Sequence, residues 1–262
     1  MKTQLDLLTE TERWERLVPL SLQRLRDNEP PEGYVLTYSG GKDSEALLAI
    51  VKESGVKFEA VYHLTTIDPP EVVRHVRDHP EVTISKPKLS MIRLIRKKGL
   101  PSVRRRWCCQ ALKEHKYPGR LVLSGIRWSE SYKRRQRKMI EVAKNCKTQT
   151  WLHPIIDWRV EDVWGYLKAR GVEVCSLYAE GWKRLGCVCC PLGRKGRDEA
   201  ARWPKIAANM KRAFDGYCSE FPDRIKDPEG MWLQFLDGDL GRKYFKPKPV
   251  PLLVYLQGGV SA

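Results

Sequence analysis

Apolar residues recur at helical spacing through residues 8–27, where Leu17, Leu20, Leu22 and Leu25 stand among charges. The run Asn28-Glu29-Pro30-Pro31-Glu32-Gly33 stops the helix that this spacing predicts. Residues 34–38, Tyr-Val-Leu-Thr-Tyr, form a short apolar, β-prone block that reads as a buried strand. A polar, glycine-rich hexapeptide follows, then a helix over 45–52 closed by Gly55, then a strand over 58–64. Strand, loop, helix and strand in that order make the βαβ unit of a parallel sheet, so the fold class is α/β. Further strands are expected at 82–84 and 121–125. Helices are expected at 90–98 and 160–171, the second with Val163, Trp164 and Leu167 on one side and Gly171 at its end. Beyond Cys190 the pattern turns to helices and turns rich in Trp, Lys and Pro, with no strand. The chain thus divides into an N-terminal helix and linker (1–33), an α/β domain (34–190) and a helical or irregular C-terminal segment (191–262).

No apolar stretch approaches the roughly 20 residues that span a bilayer. The N-terminal residues mix charge and polarity unlike a signal peptide, so a cytoplasmic protein with no membrane partner is expected. In that reducing compartment, eight cysteines point to metal ligation or redox chemistry more than to disulfides. The chain carries 48 Lys and Arg against 32 Asp and Glu, and its net charge of +16 favours a polyanionic partner, either nucleic acid or a phosphate-rich small molecule. Ten basic residues and no acid stand between Glu81 and Glu114, and five more basic residues lie in 133–138. A solvated basic face explains such runs equally well, but both flank candidate site residues.

The hexapeptide Ser39-Gly40-Gly41-Lys42-Asp43-Ser44 sits between strand and helix, where a phosphate loop belongs. Gly40 and Gly41 permit close backbone approach to an anion and positive φ. Exposed N–H groups and the helix N-terminus supply partial positive charge. Lys42 adds a point charge, and Ser39 and Ser44 add hydroxyl donors. Asp43 offers a carboxylate suited to holding Mg²⁺ against phosphates, or simply to stabilising the helix start. No GxxxxGK[ST] occurs, so this is not a Walker loop. An ordinary glycine-rich turn is the plain alternative.

SGGKDS after a strand resembles the loop of the PP-loop ATP pyrophosphatases. That resemblance implies a Rossmann-like parallel sheet flanked by helices, the adenine nucleotide alpha hydrolase-like arrangement, with ATP or an adenylyl nucleotide held by residues 39–44. Further segments follow in order over 34–193: Thr65-Thr66-Ile67-Asp68-Pro69-Pro70-Glu71, Arg106-Trp107-Cys108-Cys109 with Lys113, Gly125-Ile126-Arg127-Trp128-Ser129-Glu130-Ser131, His153-Pro154-Ile155-Ile156-Asp157, and Tyr178 through Gly186-Cys187. Together they resemble the phosphoadenosine phosphosulfate (PAPS) reductase family. The resemblance implies that Asp68 and Gly125 lie near the nucleotide and that Lys42, Asp43, Arg127 and Glu130 take part in the chemistry. Arg127, after a strand-end glycine, would contact phosphate or an activated intermediate, and the plain alternative is a surface ion pair with Glu130.

Cys108-Cys109, then 77 residues, then Cys187-Val188-Cys189-Cys190 gives a CC…CxxC set. Four thiolates suit a [4Fe–4S] cluster. A Cys₄ zinc site accepts the same spacing, and buried inert cysteines are a third reading. The family resemblance assigns the cluster to Cys108, Cys109, Cys187 and Cys190. Cys189 stands where the family usually has proline, as a spare thiol, substitute ligand or sulfur carrier. The histidines (63, 75, 79, 115 and 153) show no paired ligand spacing, and His153 is expected to pack near a sheet edge.

The family's reductases carry an attacking cysteine in a C-terminal tail, whereas residues 253–262 hold none and the last cysteine is Cys218. The expectation is therefore adenylation of a substrate by ATP, with pyrophosphate release, in iron–sulfur-dependent sulfur transfer. The PAPS-reductase-like proteins of DNA phosphorothioation systems look similar in this combination. Expected partners are an adenine nucleotide, a DNA or RNA acceptor, a cysteine desulfurase or other sulfur donor, and a second copy of the chain. The alternatives are an adenylyl-sulfate or PAPS reductase that releases sulfite, with Cys189 or Cys218 as nucleophile, and a non-catalytic cluster- and nucleotide-binding subunit of a nucleic-acid complex.

Overall fold

The structure, a computed structural model, describes residues 13–241. The start of the helix expected over 8–27 lies outside the described residues, as does the terminal segment 253–262 on which the expectation about sulfite rests. Six strands form one sheet: β1 (Tyr34–Tyr38), β2 (Phe58–His63), β3 (Val82–Ser85), β4 (Leu121–Leu123), β5 (Ile140–Ala143) and β6 (Cys146–Leu152). Their order is β3-β2-β1-β4-β6-β5. The first five in that order run parallel and β5 pairs antiparallel with β6 at the edge.

β1 is central because its side chains are apolar on both faces: Tyr34, Val35 and Leu36 are fully buried, as a strand covered by helices on both sides requires. Its register sets Val35 against Val122 and Leu36 against Leu123. The chain moves outward from β1 through β2 to β3, then crosses back to lay β4 on the other side of β1. The strand order therefore reverses between β1 and β4, and the crevice at their carboxyl ends is where open α/β sheets hold ligands.

Helix α1 (Arg13–Asp27) shares this core. Its Leu25 is fully buried, and its Ser21 Oγ accepts a hydrogen bond from Trp158 Nε1 at 3.1 Å. Arg24 grips Asp157 with two bonds of 2.8 Å. Helices α2 (Lys42–Ser54), α3 (Pro70–Arg77), α4 (Met91–Lys98), α5 (Trp107–Leu112), α6 (Tyr132–Arg135) and α7 (Val160–Ala169) complete the α/β body. The C-terminal part is helical among the described residues, as expected: α8 (Gly196–Arg202), α9 (Pro204–Glu220) and α10 (Pro228–Leu236), with α9 packed along α4.

Two local features depart from the sequence reading. The β5–β6 hairpin was not legible, because β5 is only four residues long with Ile140 and Val142 facing solvent, and β6 is mostly polar and hides only Gln149 and Leu152. Helix α2 begins at Lys42, three residues before the expected start, which puts Lys42, Asp43 and Ser44 in its first turn. No described helix is long and apolar enough to cross a membrane.

Candidate active site

The hexapeptide lies at the carboxyl end of β1, on the reversal crevice. Gly40 has φ +70°, and a β-carbon there would come within 3.0 Å of Val72 and 3.3 Å of Val76 on α3. Glycine is thus required both by conformation and by contact. The expectation of positive φ fails at Gly41, whose φ of −95° and ψ of 154° are those of a helix N-cap. The Ser44 hydroxyl organises the turn. It accepts from the Gly41 N–H at 3.1 Å and the Ser39 N–H at 3.2 Å, lies 3.0 Å from Ser39 Oγ, and donates to the Gly41 carbonyl at 2.8 Å. The Tyr178 hydroxyl accepts from the Lys42 N–H at 2.8 Å. Sequence reading placed Tyr178 in a family-like segment without giving it a role, because only the fold brings it across 136 positions to the loop.

Three sequence-selected charges meet here. Asp43 accepts from Lys42 Nζ at 3.0 Å through one carboxylate oxygen and from Arg127 Nε at 2.8 Å through the other. Arg127 is 4% exposed and also donates to Ser129 Oγ at 2.8 Å, so the surface-pair alternative does not hold. Glu130 lies 3.9 Å from Arg127 and is paired with Arg134 of α6. Gly125 closes the crevice from the β4 side, its α-carbon pressed against the Asp43 carbonyl. Both Asp43 oxygens are engaged by cations, so a magnesium ion beside it would share that carboxylate with Lys42 and Arg127. A magnesium ion here would draw its oxygens chiefly from phosphate and water.

Asp68 stands after β2, its carboxylate accepting from the Thr65 N–H at 2.7 Å. It borders a groove of about 460 Å³ lined also by Leu64, Thr66, Arg74 and Arg77.

The four selected cysteines converge nearby. Cys108 and Cys109 open α5, and the 187–190 segment docks on the loop after β2 through a Val188 N–H to Ile67 carbonyl bond of 2.9 Å. A hydrogen bond from Cys108 holds the Cys109 thiol below its ordinary value against the upward push of burial, with help from Arg106 at 3.6 Å. Burial lowers the Lys113 ammonium, yet the adjacent Cys187 and Asp68 raise it above the ordinary lysine value. Among the described residues no three of these sulfurs fall within 4.8 Å of one another. A single zinc about 2.3 Å from each thiolate would draw its sulfurs to about 3.8 Å. Cys108 and Cys109 stand within hydrogen-bond reach of each other, and a convergent set of four thiols is open to zinc and to an iron–sulfur cage alike.

Cys189 does not join them. It is 1% exposed, has φ +55°, and donates to the Gly196 carbonyl at 3.5 Å. Burial, then Glu199, pushes its thiol up to about 12, which removes it as a ready nucleophile. His153 is fully buried at the end of β6, 2.9 Å from Ser124 Oγ, as expected. The histidine reading fails elsewhere. His75 in the last turn of α3 and His79 just past its end both reach Glu45.

A glycine loop capping a helix at the reversal point of a parallel sheet defines an α/β nucleotide-binding protein of the PP-loop type. The chain belongs to the phosphoadenosine phosphosulfate reductase domain family, whose model matches residues 33–192. An uncharacterized protein of Methanocaldococcus jannaschii is 27% identical over 167 residues, 59% of this chain. The chain spans 40% of that protein's length and 42% of a second one from the same organism, about two fifths in each case. Among solved structures, a phosphoadenylyl-sulfate reductase from Candida auris superposes with a TM-score of 0.51 at 19% identity, over 71% of this chain and 96% of that one. An FMN adenylyltransferase from Candida glabrata superposes with a TM-score of 0.50 at 17% identity, over 67% and 62%.

Proposed function

We propose that this protein binds ATP at the loop and adenylates an acceptor, releasing pyrophosphate, as the activating step of sulfur transfer to nucleic acid. The observation that carries the reading is the Lys42–Asp43–Arg127 clamp on the first turn of α2, which fixes a cation and a helix N-terminus where a leaving pyrophosphate gathers charge. An acceptor oxygen attacks the α-phosphorus, the bond to the β-phosphate breaks, and pyrophosphate departs with the bonding pair. A sulfur nucleophile then displaces AMP. Asp43 and Arg127 position Lys42, and Tyr178 holds the Lys42 amide. Cys108, Cys109, Cys187 and Cys190 would hold a [4Fe–4S] cluster, which when bound supplies sulfur-binding or electron-transfer chemistry.

The acceptor assignment is supported by a second cavity of about 490 Å³ beside α5. Lys97, Lys98, Arg104, Arg105 and Arg106 line it together with Trp107, combining phosphate-binding charge with a base-stacking ring. The fold accommodates adenylyl transfer in the FMN adenylyltransferase. Family membership favours a second reading, reduction of an adenylyl sulfate. Against it, among the described residues the cysteines outside the set offer no thiol at the crevice: Cys175 and Cys189 are buried, and Cys146 and Cys218 lie on the hairpin and on α9.

The test uses anaerobically purified protein with ATP, Mg²⁺, cysteine and a cysteine desulfurase, offering duplex DNA, single-stranded DNA and tRNA as acceptors. Acceptor-dependent pyrophosphate that disappears in Lys42→Ala is expected. Sulfite release from adenylyl sulfate with a thiol reductant, without pyrophosphate from ATP, would replace this reading by the reductase.

A further inference from the structure

Glu45 is 1% exposed, the most deeply buried carboxylate beside the phosphate loop. One of its oxygens accepts from the Tyr38 hydroxyl and lies 2.7 Å from His75 Nε2. The other oxygen is buried without a hydrogen-bond partner, and its nearest cation candidate, His79 Nε2, is 3.5 Å away. A carboxylate buried this deeply calls for a partner at the oxygen that the Tyr38 hydroxyl and His75 leave unsatisfied. His75 and His79 stand four residues apart at the end of α3, so both imidazoles face the same carboxylate, with ring centroids 5.0 Å apart and planes at 86°. The ligand atoms of Glu45, His75 and His79 all lie within 4.8 Å of one another, a closeness that no other group of three such residues reaches among those described.

We propose that Glu45, His75 and His79 form a binding site for a divalent transition metal, zinc above all, distinct from the cysteine set. Two imidazole nitrogens and one carboxylate oxygen are a zinc donor set, His75 coming from the last turn of α3 and His79 from the segment just after it. The ion neutralises the buried carboxylate and occupies the orphaned oxygen, leaving its fourth position to water. Its place in the fold gives it a consequence. Tyr38 precedes the phosphate loop, Glu45 follows it, and Val72 and Val76 of α3 floor Gly40. A metal at this point staples α3 to the loop from behind.

The test separates this site from the cysteines by ligand chemistry. Chelator-treated full-length protein, with its cysteine centre left loaded, is titrated anaerobically with Co²⁺ and then Zn²⁺. One equivalent of cobalt is expected to give visible d–d bands without a thiolate charge-transfer band, and zinc should displace it. That equivalent should be lost in His75→Asn, His79→Asn and Glu45→Gln and kept in Cys146→Ser. Zinc should also raise the melting temperature of the wild type and leave that of the histidine variants unchanged. Both histidine side chains are partly exposed, so these two variants keep the test valid where Glu45→Gln fails to fold. Absence of the nitrogen–oxygen cobalt spectrum, or an unchanged metal equivalent in both histidine variants, overturns the proposal.

Discussion

A single methyl group added at Gly125 tests whether the crevice is built as tightly as the geometry says. A β-carbon at this position would lie 2.7 Å from the carbonyl oxygen of Asp43 and 3.0 Å from its carbonyl carbon. Relief to an ordinary contact of about 3.5 Å asks for a shift of roughly 0.8 Å. The opposing atoms are backbone in the first turn of α2, so no side-chain rotation can supply it. Overpacking of this kind costs about 1–3 kcal/mol, which for a domain of this size lowers the melting temperature by roughly 3–10 °C. The same shift moves the α2 N-terminus and Lys42 off the phosphates. Loss of one charged hydrogen bond, about 1.5–3 kcal/mol, weakens ATP at least tenfold. Gly41→Ala is the matched control. Its β-carbon meets only Ser39 Oγ and Tyr178 Oη at 3.5 Å with φ already negative, so stability should change by less than about 1 kcal/mol while ATP binding still falls. Thermal melts and calorimetric ATP titrations of the three proteins decide the matter. A Gly125→Ala protein with wild-type melting temperature and wild-type ATP affinity refutes the reasoning.

Lys42→Ala should weaken ATP by roughly 1.5–3 kcal/mol in the same titration and leave the urea midpoint near wild type, since the lysine serves the ligand. Cys109→Ser and Cys187→Ser should lose the brown colour and bound iron of anaerobically purified protein, whereas Cys146→Ser and Cys175→Ser should keep both, as iron analysis will show. Burial, and then charge repulsion from His115, whose ring stacks 3.8 Å away, lower the His63 pKa to about 4 from its ordinary 6.5. Between those values the unfolded chain takes up a proton that the folded one refuses. Stability should therefore be complete above pH 6.5 and fall as the pH drops toward 4, by about 1–2 kcal/mol after allowance for solvent screening of a half-buried ring. Urea melts at pH 7.5 and 5 should show this loss in the wild type and a smaller loss in His63→Gln.

The chain's own residues determined the parts of the picture that are local. An apolar block, two glycines and an amphipathic run in succession already require a strand, a tight turn and a helix, because backbone sterics and side-chain periodicity act over a few residues. That is why the loop at 39–44 and the βαβ unit were legible, and why the cysteine pairs could be picked out in advance. The sequence could not order the strands, since the reversal between β1 and β4 depends on which faces remain to be buried once β2 and β3 have formed. That reversal alone turns Gly125 and Arg127 from residues after a strand into the far wall of the crevice. The β5–β6 hairpin stayed hidden because β5 is only four residues long with its apolar Ile140 and Val142 turned to solvent, and its partner β6 is mostly polar, so the strand signal is weak. Tertiary packing also gave Tyr178 its bond to the loop, turned Cys189 into the core away from the four selected cysteines, and aimed His75 and His79 at one buried carboxylate. These are contacts between distant segments, and their energies depend on burial and angle, which exist only after the chain has closed on itself.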